Sequence, residues 1–412
     1  MSIRTRAVGA VRALTSVIPD ALLARLMPRA LRWDQSKMRI AEPPSTSVRL
    51  LVAPTNSAGQ AFRWARAASE NLSDVGAVNL MTTNASTARF SFPADVGVPE
   101  TGYLFAHGWQ RRQRAEIIDR FTHVLLESGR YLYGPVPWKS QIDVALELVS
   151  RGVRIGLLWH GSDIRVPSEH AAWELDSPFG ARGHYSKEAT SILEANAIER
   201  RRMVSATDLP VFVSTPGLLD VERARWLPVV VDPERWRSPS PPLAADVPVV
   251  AYVPSNSPMK GDESVDVQLA ALDNEGLIRY RRLERVPSAE MPDVYRSADI
   301  VLDQFRLGDY GVAACEAMAA GRIVIGHVHD DVRRRVRDIT GRELPIVEAR
   351  FDGVGAKIRE VLADPAPWVA QAAAGVSFVD AVHDGRASAA QLSDFLGARV
   401  AAKSTPQEGN DV

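Results

Sequence analysis

Short apolar runs alternate with helical patterns along most of this chain, and the alternation comes in two successive series. The first contains VRLLVAP (48–54), THVLLES (122–128), VRIGLLWH (153–160) and PVFVST (210–215). The second contains VVAYVP (249–254), IRYRRLERV (278–286), DIVLDQF (299–305), RIVIGHV (322–328) and LPIVEA (344–349). Near-continuous apolar runs separated by helical segments are the pattern of α/β structure, in which helices cover the sheet. Between the series lies SPSPPLAADVP (238–248), rich in Pro, Ser and Ala and without periodicity, as expected of a linker.

Two α/β halves, each opening with a strand and a polar loop, predict two Rossmann-like domains. A ligand of such sheets sits beyond the carboxyl ends of the strands, so the loops after Pro54, His160, Pro254, Val286 and Phe305 carry the chemistry. Composition agrees with a globular chain of two domains: 412 residues, 46% apolar and 24% charged. The net charge of −1 gives no reason to expect a nucleic-acid partner. Cys315 is the only cysteine, so no internal disulfide forms and a reducing, cytoplasmic setting is expected. No apolar run reaches the roughly 18 residues of a membrane span. No Cys or His spacing suggests a metal, and neither a metal nor a cofactor is expected.

Residues 1–40 differ from the rest. Eight basic side chains stand against Asp20 and Asp34, with Val8, Val11, Leu14 and Ile18 at helical spacing before Leu22, Leu23, Leu26 and Leu31. Such a basic amphipathic arm suits an anionic membrane surface; the alternative is a disordered or self-packed arm.

Three loops hold candidate site residues. ADIVLDQFRLGDYGVAACEAMAAG (298–321) reads as a buried strand, a glycine-bearing loop over 306–311 and a helix from about Val312 to Ala320. The helix start offers unpaired N–H groups and a positive dipole end to a phosphate. Glu316, one turn further in, either accepts hydrogen bonds from sugar hydroxyls or is a solvated carboxylate on a packing helix. PSNSPMKG (254–261) places hydroxyls, an amide and Lys260 at a strand end, suited to a diphosphate but without a Walker A pattern. HGSDIR (160–165) brings His160, Gly161 and Asp163 out of a strongly apolar strand. They either contact a ligand, or Ser162 or Asp163 caps the next helix. The cluster His329, Asp330 and Asp331 reads as loop and helix cap.

In this order, HGSDIR, VSTPGLLD with WLPVVVDPERW, PSNSPMKG and the GDYGVAACEAMAAG block resemble the retaining glycosyltransferases of family 4, which have the GT-B fold. The resemblance is strong over about 148–328, fair in the tail at 375–396, and weak over the first 120 residues. It implies an N-terminal acceptor domain over 45–237, a nucleotide-sugar domain over 247–380, a closing helix over 381–400 returning to the first domain, and a tail at 401–412. The domains face each other across a cleft. By resemblance Glu316 holds the ribose, while Lys260 with Ser255, Asn256 and the backbone of Tyr310, Gly311 and Val312 holds the diphosphate. Val286 flanks the base, and His160 reaches across toward the donor sugar. Ser57, Gly59 and Gln60 close over the phosphates or meet the acceptor.

Two positions depart from the family pattern. A Glu is usual eight residues before Glu316, where this chain has Gly308, leaving neighbouring Asp309 or backbone groups to do its work. An Arg is usual a few residues before the Lys, and none occurs between Ala251 and Lys260. The implied activity is metal-independent, retaining transfer of a hexose from a UDP- or GDP-sugar to a glycan, lipid-linked or small-molecule acceptor. The protein is expected in the cytoplasm, with peripheral contact to the inner membrane face through its N-terminal arm. The missing Glu and Arg leave an alternative: a catalytically silent GT-B protein that binds a nucleotide or partner and regulates an active transferase.

Overall fold

The computed structural model describes residues 17–254 and 263–401. The first series of runs forms one sheet: β1 (Val48–Ala53), β2 (Val75–Thr83), β3 (Val96–Pro99), β4 (His123–Glu127), β5 (Arg154–Trp159), β6 (Val211–Val213) and β7 (Ala224–Trp226). Its order is β3-β2-β1-β4-β5-β6-β7 and every pairing is parallel. The strand order reverses between β1 and β4, the switch point at which open α/β sheets bind ligands. The second series forms β8 (Val249–Tyr252), β9 (Arg279–Arg282), β10 (Ile300–Leu302), β11 (Ile323–Gly326) and β12 (Val347–Glu348), ordered β12-β11-β10-β8-β9 and again parallel.

Three strands lie outside the apolar runs. In β2, Gly76 and Asn79 interrupt the pattern. Asn79 is fully buried, and its amide N–H groups donate to the carbonyls of Val52 and Thr55. β3 and β7 are short edge strands.

One hydrophobic core runs between the two sheets. It joins Trp64, Ala65 and Phe212 of the first half to Ala314, Met318 and Phe378 of the second. The helices Ala366–Val382 and Arg386–Leu396 make this continuity, the latter packing on the helix Gln60–Asn71. Phe395 sits edge-on to His123 at 5.2 Å and against Phe212 at 5.9 Å. Burying a side chain of this size stabilises by about 1.5–3 kcal/mol. The last described helix therefore packs on the first domain, as the expected fold requires. Two further clusters cover the outer faces, one on each sheet.

The described part of the N-terminal segment, residues 17–41, folds against the first sheet. The helix Asp20–Leu26 buries Leu23 and Ala24, and Trp33, Met38 and Ala41 follow them inward. Asp20 is the anchor. Its carboxylate accepts the N–H groups of Gly108 at 2.8 Å and Trp109 at 2.7 Å, at the start of the helix His107–Arg120. A carboxylate there satisfies orphan donors and meets the positive dipole end. Leu22, Leu26 and Leu31 stay exposed. Among the described residues no helix is long and apolar enough to cross a membrane.

Candidate active site

The turn after β1, Asn56–Gly59, separates two cavities. Ala58 lines one and Ser57 the other. Ala58 and Gly59 both have positive φ (51° and 76°). A Cβ on Gly59 would approach Phe92 to 3.0 Å, so the turn needs glycine where it passes that ring.

The first cavity, about 190 Å³, belongs mainly to the second sheet. Its walls are Val253 and Pro254 after β8, Arg285, Val286 and Ser288 after β9, Met291 and Tyr295, and one face of the helix Val312–Ala319. That face is Val312, Ala313 and Glu316; the opposite side of the helix, with Ala314, Cys315, Ala317 and Met318, is buried. Helical spacing therefore puts Glu316 on the same face as apolar Val312 and Ala313. Phe90 and Phe92 roof the cavity from the first domain, and the Ser288 N–H donates to the Phe90 carbonyl at 3.2 Å. Arg63 lies within electrostatic reach of Glu316: burial pulls its guanidinium below the usual value, and Glu316 opposes that pull.

Gly311 caps this helix, and a Cβ there would meet nothing within 4 Å among the described residues. The backbone at the helix start is thus approachable. Burial pushes the Cys315 thiol and the Tyr295 phenol well up, so neither ionises near neutrality.

The second cavity, about 430 Å³, opens at the carboxyl ends of β1, β4 and β5. His160 is its centre. Nε2 of His160 meets Glu127 Oε1 at 2.9 Å, and the ring stacks on Trp64 with centroids 5.7 Å apart. Glu127 ends β4 fully buried, and its other oxygen accepts the Thr55 N–H at 3.2 Å. Burial opposes charge on His160, but the hydrogen bond and charge of Glu127, reinforced by Asp163, outweigh it and raise its pKa above the ordinary value. Asp163 clasps its own loop: it accepts the N–H groups of His160 at 3.0 Å and Gly161 at 2.8 Å and the Ser128 hydroxyl at 2.7 Å. The next helix starts instead at Pro167 after Val166, so Asp163 does not cap it. A Cβ on Gly161 would lie 3.3 Å from Arg165 Nη1.

The other expected site residues fall into three groups. Val286, Val312 and Glu316 meet in the first cavity; Ser57, His160, Gly161 and Asp163 meet in the second. Gln60, Asp309 and Tyr310 turn inward. Gln60 exchanges two hydrogen bonds with the Val230 peptide, tying the first turn of its helix to the segment between the domains. Asp309 is 1% exposed and bound to Arg165 at 3.5 Å and to the Gly217 and Tyr310 N–H groups, so its carboxylate braces the domain contact rather than replacing a sugar-binding Glu. The Tyr310 ring lies in the core beside His383. Ser255, Asn256 and Lys260 lie outside the described residues. His329 caps the helix Asp330–Thr340, accepting the Asp331 N–H, as the sequence suggested.

Gly308 has a positional reason. The segment after the helix Pro167–Trp173 leaves the first sheet and docks on the second, where Glu174 meets His327 at 2.8 Å and Arg350 at 3.2 Å. His327 also meets Glu348 at 2.6 Å. Arg350 pairs with buried Asp176 as well. Burial works against charge on His327, yet its two carboxylates raise it to about 9; Glu174 falls to about 2 against its own burial. Gly308 (φ 59°) passes beneath this network: a Cβ would stand 2.8 Å from Glu174 Oε2 and 3.4 Å from the Trp173 ring. A side chain at 308 has no room.

No known family profile matches the chain, and no curated protein matches it in sequence. Solved structures do resemble it. A sucrose-phosphate synthase from Thermosynechococcus elongatus superposes with a TM-score of 0.50 at 15% identity, covering 84% of this chain and 97% of its own. HepE from Anabaena, in complex with UDP-glucose, gives 0.52 at 12% identity over 84% of this chain and 98% of its own. Its complex with UDP gives 0.50 at 14% identity and the same coverage. With the two parallel sheets and the returning helices, these likenesses establish the GT-B fold.

Proposed function

We propose that this protein is a glycosyltransferase that moves a hexose from a nucleotide-diphosphate sugar to an acceptor held in the second cavity, without a metal and with retention of configuration. The observation that carries the reading is the pair of cavities meeting at the Ser57–Gly59 turn, with Glu316 in one and His160 in the other. HepE and the sucrose-phosphate synthase share the fold, and HepE was solved with UDP-glucose. The first cavity suits a nucleoside: apolar walls around Val286 for a flat base, and the Glu316 carboxylate for two ribose hydroxyls. The diphosphate then falls at the start of the helix Val312–Ala319, with Lys260 supplying a further positive charge.

Transfer forms the bond from the acceptor oxygen to the anomeric carbon and breaks the bond from that carbon to the diphosphate oxygen. The leaving oxygen takes the electron pair and the acceptor's proton, so no base from the protein is needed. What the protein supplies is positioning and compensation for charge growing on the diphosphate. His160, whose charged form Glu127 favours, supplies part of that compensation. Glu127 is enclosed and already engaged, which disfavours a covalent glycosyl intermediate on it.

One observation favours a second reading. The space beside Gly308 is filled by Trp173 and Glu174, so the chain lacks a sugar-holding carboxylate there and has no room for one. A silent, nucleotide-binding regulator is consistent with that. A donor panel separates the two. UDP- and GDP-sugars are titrated calorimetrically and the released nucleoside diphosphate is measured with and without acceptors. Saturable binding with release supports transfer; binding with no release across the panel supports the silent reading, and no nucleotide binding rejects both.

A further inference from the structure

The second cavity is rich in positive charge. Arg130, Arg165 and Arg200 line it from three elements: the loop after β4, the loop after β5 and the helix Lys187–Ser205. Asp163, the only carboxylate among its described lining residues, already accepts hydrogen bonds from two backbone N–H groups and the Ser128 hydroxyl. Arg165 is buried and turned toward Asp309 at 3.5 Å, so its charge is shared with that partner. Arg200 donates one N–H to the Asp163 carbonyl at 2.7 Å, which fixes its guanidinium against the wall. Arg130 is exposed and has no ion pair or side-chain hydrogen bond among the described residues.

Guanidinium groups present planar forks of N–H donors that match phosphate oxygens, and they remain charged at any physiological pH. Neither Arg130 nor Arg200 has an ion-pair partner among the described residues, so both charges are available to an anionic ligand. The donor's diphosphate belongs on the other side of the Ser57–Gly59 turn, at the start of the helix Val312–Ala319. With His160 given to the reacting centre, the arginine charge in the second cavity is assigned to the other substrate.

We propose that the acceptor carries a phosphate group, seated by Arg130 and Arg200 with Arg165 behind them. The inference rests on the reading of the cleft as a transfer site, since it names the second substrate of that site. The phosphate belongs to a sugar phosphate or to a lipid headgroup; both present the same oxygens to the same forks.

The test uses the full chain, wild type and an R130A/R200A double variant. Calorimetry is run with UDP, glucose 6-phosphate, glucose, glucuronate and inorganic phosphate, and vesicle co-sedimentation with phosphatidylglycerol in phosphatidylcholine. The expected result is glucose 6-phosphate bound at least tenfold tighter than glucose or glucuronate. The double variant should lose at least tenfold of that affinity and keep UDP affinity within twofold. If the phosphate source is a lipid, anionic vesicles replace glucose 6-phosphate as the ligand and their binding is lost in the same variant. Equal affinity for glucose and its phosphate, with vesicle binding absent or unaltered by the substitutions, would overturn the proposal. So would a parallel fall in UDP affinity, which would assign the arginines to the donor. Failure of wild-type protein to bind UDP and, in a parallel titration, GDP would reject the transfer reading instead, while the phosphate comparison would still report on the arginines.

Discussion

The two cavities that meet at the Ser57–Gly59 turn are built from opposite materials. The first is mainly apolar, with Arg285, Ser288 and one carboxylate on a helix face among its lining; the second is polar, with a histidine held by a buried Glu and three arginines. The contrast follows from what surrounds each one. The first lies beside a helix of small residues packed on the core, which leaves room for a flat ligand between mainly apolar walls. The second lies where the strand order of the first sheet reverses, and there loops from β1, β4 and β5 converge with their polar tips. One side is suited to recognising a base and ribose, and the other to holding a charged substrate and stabilising charge.

Breaking the second side should have the largest effect. Glu127→Gln keeps the shape but removes the charge opposite His160, and turnover is expected to fall about 100- to 1,000-fold, the scale of a lost electrostatic contact to a transition state. Nucleotide affinity measured calorimetrically should not change; if it falls equally, the two sides are not separate. Next comes the first side. Glu316→Ala should weaken UDP or GDP binding roughly 10- to 100-fold, corresponding to charge-assisted hydrogen bonds worth about 1.5–3 kcal/mol. Unchanged affinity would place the nucleotide elsewhere.

A smaller effect is expected at the domain contact. Gly308→Ala introduces a Cβ at φ 59° within 2.8 Å of Glu174 Oε2, and should cost about 1–3 kcal/mol in thermal or denaturant unfolding. An unchanged unfolding midpoint would show that the Glu174–His327 network yields easily. The smallest effect concerns pH. His160 has a raised pKa, so its imidazolium is fully present below the ordinary value of 6.5 and is lost as pH rises through the higher value set in the fold. Turnover should therefore decline on the alkaline side, by no more than about tenfold over the first pH unit above that value, as the imidazolium fraction falls. Nucleotide binding should stay flat over the same range. A flat turnover profile in wild type, or one unaltered by Glu127→Gln, would remove His160 from the charge balance.

Much of this was legible in the sequence for a physical reason. Parallel strands covered on both faces read as apolar runs, so nine of the twelve strands stand in the quoted segments, and their ends point to the loops that matter. Glu316 stands out because it is a lone carboxylate in a small, apolar helix. What local pattern cannot carry is partnership at long range. Glu174 and His327 are 153 residues apart, and Arg165 and Asp309 are 144 apart. No spacing rule links them. Glu127 is hidden for another reason: it follows an apolar run as the last residue of its strand, and only its contact with His160 marks it as more than a strand end. Arg200 shares a helix face with Leu193 and Asn196, but a solvated arginine on a long helix looks the same in sequence.

The central claim is transfer of a sugar across this cleft. The most direct measurement is an NMR time course on UDP- and GDP-sugars with sugar-phosphate and neutral acceptors, following the phosphorus signal of released nucleoside diphosphate and the new anomeric proton together. The expected result is release matched one for one by a new glycoside of the donor's anomeric configuration. A spectrum that never changes while the nucleotide demonstrably binds would contradict it.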